Sequence, residues 1–271
     1  MASSPFPVIK SDFNHAYPHY STMTKRMVYV SNETGFYELW SADHNGKKRK
    51  QLTHLKQNAR FPRWSHDGKQ IAFLAPVEHK DGDKIHILDV ATQQLSIVPS
   101  QYNAHNRPTW SFDDNTIISA IYTDEHTDLY QINIDGGAAK RITFDGARYG
   151  VMTSITTLLY TKIEKGLWQK ELMASDPPLN KISGKLFTSR YSWTVESDGI
   201  YFKENNTDHI QINFYSYQTQ QSSTLIKLPL QTIKNYGVLT RVPDANKLIF
   251  TQTHFPQANI KMLNHPLISK D

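Results

Sequence analysis

The chain has 271 residues, of which 38% are hydrophobic, 11% aromatic and 20% charged, a composition that is enough to build an apolar core and does not point to disorder. Thirty basic against 25 acidic residues leave a net charge of +5, which permits an anionic partner without demanding one. The absence of cysteine excludes a disulfide framework, thiolate metal sites and a cysteine nucleophile.

In chain order, residues 1–7 lack the charged and apolar regions of a signal peptide. No later apolar run approaches the ~18 residues that span a bilayer, so no membrane insertion by this chain is expected. The expected compartment is cytoplasmic if the chain is complete, periplasmic if it is part of a longer anchored protein. The one dense basic cluster, Lys47 to Lys50, falls in a hairpin turn and reads as a solvated turn, so no nucleic acid is expected to bind through this domain.

Three segments then repeat one another: Tyr17-Pro18-His19-Tyr20-Ser21, Phe61-Pro62-Arg63-Trp64-Ser65 and Arg107-Pro108-Thr109-Trp110-Ser111, with starts 44 and 46 residues apart. Each leads through a turn to an apolar run (Met27 to Val30, Ile71 to Leu74, Ile117 to Ile121) and then to a second (Tyr37 to Trp40, Ile85 to Leu88, Leu129 to Ile132). A last short strand follows, clearest at Lys50 to Thr53 and Lys140 to Thr143. The second half repeats the pattern more loosely from Tyr149, Tyr191 and Tyr236. These runs are short, β-branched and aromatic, and bounded by Gly, Pro, Asn and Asp, which marks strands. In Ser65-His66-Asp67-Gly68-Lys69 the aspartate bonds its own backbone and the glycine supplies a positive φ. Residues 179–186 stay ambiguous, with Gly184 inside them.

Six units at a period of roughly 45 residues predict an all-β, six-bladed β-propeller with four-stranded antiparallel blades, spanning 1–271 as one domain. Phe6 to Ile9 stand where a fourth strand precedes the first blade, while the last unit ends near Leu263 after its third strand. The N-terminal strand is therefore expected to close the last blade, removing the open edge that would invite aggregation.

The run Trp64 to Phe73 resembles the W-S-P-D-G-K-x-I-A-F core of TolB-like propeller repeats, with His66 in place of the usual proline. Trp110 to Asn115 and Pro243 to Phe250 are diverged copies. The second half (Gly199 to Phe202, Gly237, Pro243 to Thr253, Asn259 to Leu263) resembles the C-terminal sensor propeller of CadC-like winged-helix transcriptional regulators. That resemblance implies the sensory part of a membrane-anchored regulator, detached from its DNA-binding and membrane segments.

The loops into the six innermost strands lie at one end of the central channel, and equivalent positions there form a ring. The position before the first aromatic is Ala16, Arg60, Asn106, Arg148, Arg190 and Asn235; the next is Tyr17, Phe61, Arg107, Tyr149, Tyr191 and Tyr236; His15 and His105 stand one residue earlier. Guanidinium forks bind carboxylate or phosphate and rings offer stacking faces, so this mouth suits a protein segment or a small anionic ligand. The alternative is structural: the arginines pair with turn aspartates such as Asp67, Asp113 or Asp244, and the rings fill the wedge between blades.

No metal site or cofactor is expected. His15 and His19 are four apart on a strand, no HExxH occurs, and Asp81-Gly82-Asp83 lacks the glutamate that completes a calcium loop. No Gly-x-Ser-x-Gly elbow or phosphate-cradling loop is present. The expectation is a non-catalytic binding, sensor or protein-interaction propeller. The competing class is a propeller hydrolase or lyase acting on acidic saccharides, which requires a buried carboxylate or histidine beside arginine with a perturbed pKa.

Overall fold

The computed structural model describes residues 5–78, 82–175, 178–183, 187–230, 238–254 and 257–264. A first short strand, β1 (Phe6–Pro7), precedes five consecutive four-stranded units. Blade I is β2 (His15–Ser21), β3 (Arg26–Ser31), β4 (Glu38–Asp43) and β5 (Lys50–Gln51). Blade II is β6 (Arg60–Trp64), β7 (Gln70–Pro76), β8 (Asp83–Asp89) and β9 (Leu95–Ile97). Blade III is β10 (His105–Trp110), β11 (Thr116–Tyr122), β12 (Thr127–Asn133) and β13 (Lys140–Arg141). Blade IV is β14 (Ala147–Met152), β15 (Thr157–Lys162), β16 (Gly166–Glu171) and β17 (Leu179–Ser183), so the first five residues of the ambiguous 179–186 segment form a strand and the rest lie outside the described residues. Blade V is β18 (Trp193–Val195), β19 (Gly199–Asn205), β20 (His209–Ser216) and β21 (Ser222–Pro229); blade VI contributes β22 (Leu239–Val242), β23 (Lys247–His254) and β24 (Gln257–Asn264).

The expected six-bladed propeller is therefore observed, with antiparallel pairing within the blades. The N-terminal strand closes it as the repeat count required. β1 lies on β24, Phe6 opposite Met262 and Pro7 opposite Lys261, and the Val8 N–H donates to the Ile260 carbonyl at 3.1 Å. Pro7 is tolerated because β1 is the outermost strand, where a missing N–H breaks no further ladder.

A blade is apolar on both faces, so each buries them against its two neighbours. Six apolar clusters fill the six seams. Val28, Val30 and Leu39 meet Trp64, Ile71 and Phe73 between blades I and II. Ile9, Tyr20, Met27 and Tyr29 meet Val242, Ile249, Ile260 and Met262 at the closing seam. Buried acids tie blades I and III to the loops that leave them. Asp128 Oδ1 accepts from the Thr143 hydroxyl and the N–H groups of Asp145 and Gly146, and its Oδ2 pairs with Arg141 at 2.6 Å. Glu38 does the same in blade I, accepting from Thr53 Oγ1 and the Lys56 N–H.

The Trp-Ser-x-Asp-Gly turns interlock on one face of the disc. Asp114 of blade III accepts from the backbone N–H groups of His66 and Asp67 in blade II, both at 2.9 Å, and its carboxylate lies 2.7 Å from the His66 ring. Lys25 of blade I pairs with Asp244 of blade VI. No helix among the described residues is long and apolar enough to cross a membrane.

Candidate functional site

The innermost strand of each blade has one ladder edge facing the channel, and its free backbone groups need partners. Side chains of neighbouring blades supply them. His19 Nδ1 accepts from the Trp64 N–H at 3.0 Å, Thr240 Oγ1 from the Tyr20 N–H at 3.0 Å, and Thr109 Oγ1 donates to the Gly150 carbonyl at 2.7 Å. The first of these bonds leaves the His19 proton on Nε2, and burial, Arg63 and His66 together hold its pKa well below the usual imidazole value.

Strands β2, β6 and β10 carry a register shift, between Ala16 and His19, Arg60 and Arg63, and Asn106 and Thr109. Inside each, a non-glycine residue takes a left-handed backbone: Tyr17 (φ 54°), Phe61 (φ 53°) and Arg107 (φ 49°). Such a bulge re-aims a side chain at a local backbone cost. Here it gathers the three at the leading end of the channel, where the innermost strands begin. Tyr17 and Phe61 stack with ring centroids 4.4 Å apart, and the Arg107 guanidinium is sandwiched between Phe61 (4.3 Å) and Tyr191 (4.1 Å).

Of the residues the sequence singles out, the structure thus brings Tyr17, Phe61, Arg107 and Tyr191 into one stack at this end. Arg148 lies 5.3 Å over Tyr122 on its margin. Arg60 is exposed and pairs with Asp83 at 2.6 Å. Arg190 is exposed, and with Tyr191 lines a cavity of 360 Å³ that also holds Lys162, Lys203 and Glu164. Lys203 is buried, and burial lowers its pKa to about 8. His15 and His105 are buried and line neither that cavity nor the two on the turn face. His15 packs on the edge of Tyr29 and bonds Ser11, while His105 meets the Tyr102 carbonyl; burial, then Arg49 and Lys84 respectively, brings each pKa down to about 4. Tyr236 and Asn235 lie outside the described residues.

The channel opens at the other end, among the turns. A cavity of about 250 Å³ is lined there by His19, Arg63, Thr109, Tyr149, Glu196 and Arg241, among others. Tyr149 is the one predicted site residue on its wall. The others were missed because they stand further along the same strands: His19, Arg63 and Thr109 each follow a ring position by two residues, which is the strand period. Glu196 comes from the hairpin turn after β18, whose sequence Glu196-Ser197-Asp198-Gly199 is a degenerate copy of the Ser-x-Asp-Gly turn. Burial raises its carboxyl pKa to about 7, with Asp198 adding to the shift and Arg241 opposing it. Arg241 is buried and held by the Asn246 side chain at 2.9 Å and the Val242 and Lys247 carbonyls.

A second, larger depression of 620 Å³ runs outward across blades IV and V. It shares His66, Val151, Val195 and Glu196 with the central cavity and adds Gln169, Lys181, Tyr215 and Tyr217. The two form a trough from the axis to the rim, with Glu196 at the junction. Among the described residues no cluster of three or more His, Cys, Asp or Glu side chains suits a metal ion.

An axial channel enclosed by six four-stranded blades with Trp-Ser-x-Asp-Gly turns defines a repeat propeller. The chain belongs to the TolB beta propeller domain family, whose profile matches residues 16–265. A TolB homolog of Chlorobaculum tepidum is 29% identical over 126 residues, 46% of this chain and 28% of that protein, so the match spans little more than a quarter of the relative's length. TolB from Acinetobacter baumannii superposes with a TM-score of 0.63 at 17% identity, covering 82% of this chain and 56% of the other. An oligogalacturonate lyase in complex with manganese gives 0.61 at 10% identity, covering 97% and 93%. At these identities the likeness of structure establishes the fold alone.

Proposed function

We propose that this propeller is a binding module that receives an extended partner, a protein segment presenting a carboxylate, along the trough on its turn face. The observation that carries this reading is the continuity of the 250 Å³ axial cavity with the 620 Å³ groove through Glu196. An elongated depression suits an extended segment better than a compact metabolite. Its basic groups, Arg63 and Arg241 at the axis and Lys181 in the groove, favour an acidic one. Tyr215 and Tyr217 in the groove supply the aromatic surface on which such contacts concentrate. If the chain serves as the sensory part of a membrane-anchored regulator, as the likeness of its second half to CadC-like propellers implies, this trough is the sensing surface.

A second reading rests on Glu196 itself. A half-buried carboxyl with a pKa of about 7 near Arg241 is the pairing that acid–base chemistry on an acidic saccharide requires. Titration calorimetry with a disordered peptide carrying two glutamates, and with oligogalacturonate, separates the two. The binding role predicts that the peptide binds the parent and that Arg241→Met weakens it about tenfold, the scale of one lost charge-assisted contact. Absence of peptide binding, or binding indifferent to Arg241→Met, would contradict it. Release of an unsaturated uronate from oligogalacturonate, lost in Glu196→Gln, would establish the lyase reading instead.

A further inference from the structure

Between the aromatic stack at the leading end and the cavity at the turn end stand two buried cations, Arg107 in the stack and Arg63 on the cavity wall, and among the described residues no carboxylate pairs with either. Arg107 is 4% exposed and Arg63 5%. Stacking between Phe61 and Tyr191 satisfies the faces of the Arg107 guanidinium but not its edge, and its Nε and Nη1 have no hydrogen-bond partner among the described residues. Arg63 donates to the Pro62 carbonyl at 3.0 Å and to the Tyr149 hydroxyl at 3.5 Å. Among the described residues no carboxylate lies within ion-pair distance of either guanidinium. The two arginines also sense each other: burial first, and then the Arg63 charge, pulls the Arg107 pKa below its usual value. Glu196, the acid on the cavity wall, is coupled to Arg241 and Asp198, not to this pair.

Burying one unpaired charge is strongly unfavourable, and placing two of the same sign together is worse. The groups that converge here are donors. Arg107 offers free N–H groups, and the Tyr149 hydroxyl, accepting from Arg63, has its own proton to give. A donor-only, positively charged recess excludes cations and suits a small anion. We propose that Arg63 and Arg107 hold a singly charged anion, a halide or a carboxylate group, between them at the floor of the channel. The site needs no partner in the trough. It shares Arg63 with the trough but goes beyond the binding role, and because its test reads Arg107, which does not line the trough, its failure is distinguishable from a failure of that role.

The direct test is a crystal of the full chain soaked in bromide, with data collected at the bromine edge. An anomalous peak in contact with the Arg63 and Arg107 side chains, absent from Arg107→Met crystals, is the expected result. Thermal melts add the source of the anion: at constant ionic strength, chloride and acetate are each raised for the parent and for Arg107→Met, the variant subtracting general salt effects. A larger rise in the parent with chloride assigns an inorganic ion, and a larger rise with acetate assigns a ligand carboxylate. No bromide peak at the pair, together with parent and variant responding equally to both anions, overturns the proposal. Because the parent map is informative alone, the proposal stays testable if Arg107→Met does not fold.

Discussion

Removing residues 1–10 deletes the strand that closes the ring, and the structure gives the size of the effect. Ile9 is 2% exposed in the seam between blades VI and I, and burial of such a side chain is worth roughly 2–3 kcal/mol. The β1–β24 ladder and the Val8 N–H bond to Ile260 add about 1 kcal/mol for each hydrogen bond lost. The sum is about 4–6 kcal/mol, which for a chain of this size lowers Tm by roughly 10–20 °C. Ile9→Ala alone should account for about 2–5 kcal/mol through its cavity. Differential scanning calorimetry measures both. The truncated chain should also self-associate, because β24 then presents an unpaired edge. A truncated chain that stays monomeric and melts within about 2 °C of the parent would refute closure as a source of stability.

Three further outcomes follow from individual contacts. Because burial raises the Glu196 pKa from 4.5 to about 7, its protonated form is favoured in the folded state, and the stabilisation present below pH 4.5 is lost as pH rises through 7. Glu196→Gln should therefore melt like the parent at pH 4.5 and above it at pH 8, by about 2 kcal/mol, in paired thermal scans. Asp114→Gly, which keeps the φ of 58° permissible, removes the clamp on the blade II turn and should lower stability by about 1–2 kcal/mol in urea unfolding; an unchanged midpoint would show that the clamp contributes nothing. Gly46→Ala would place a Cβ 2.1 Å from the Val8 carbonyl oxygen at a φ of 76°, so it should destabilise by at least about 1 kcal/mol, and the loss should shrink in the chain lacking residues 1–10.

The fold was legible because its signals are local. Trp64 to Gly68 writes its own turn, and counting strands against the repeat placed Phe6 to Ile9 beside the last blade. The site was less legible because it depends on packing across blades. The register count brought Tyr17, Phe61, Arg107 and Tyr191 to one end of the channel, but their packing into a single stack rests on three left-handed bulge residues on separate blades, which the count does not reveal. Glu196 escaped notice because its turn had lost the tryptophan and serine that mark its relatives, and its unusual pKa arises from burial supplied by other parts of the fold.

The central claim is that recognition takes place at the turn end of the channel. It is tested most directly by a backbone amide NMR titration of the full chain with the diglutamate peptide. Shifts are predicted along the trough, at Arg63, Thr109, Val195, Glu196 and Arg241 and outward to Tyr215 and Tyr217. Shifts confined to the leading end, at Arg60, Arg148 and Arg190, with the trough unaffected, would contradict the claim.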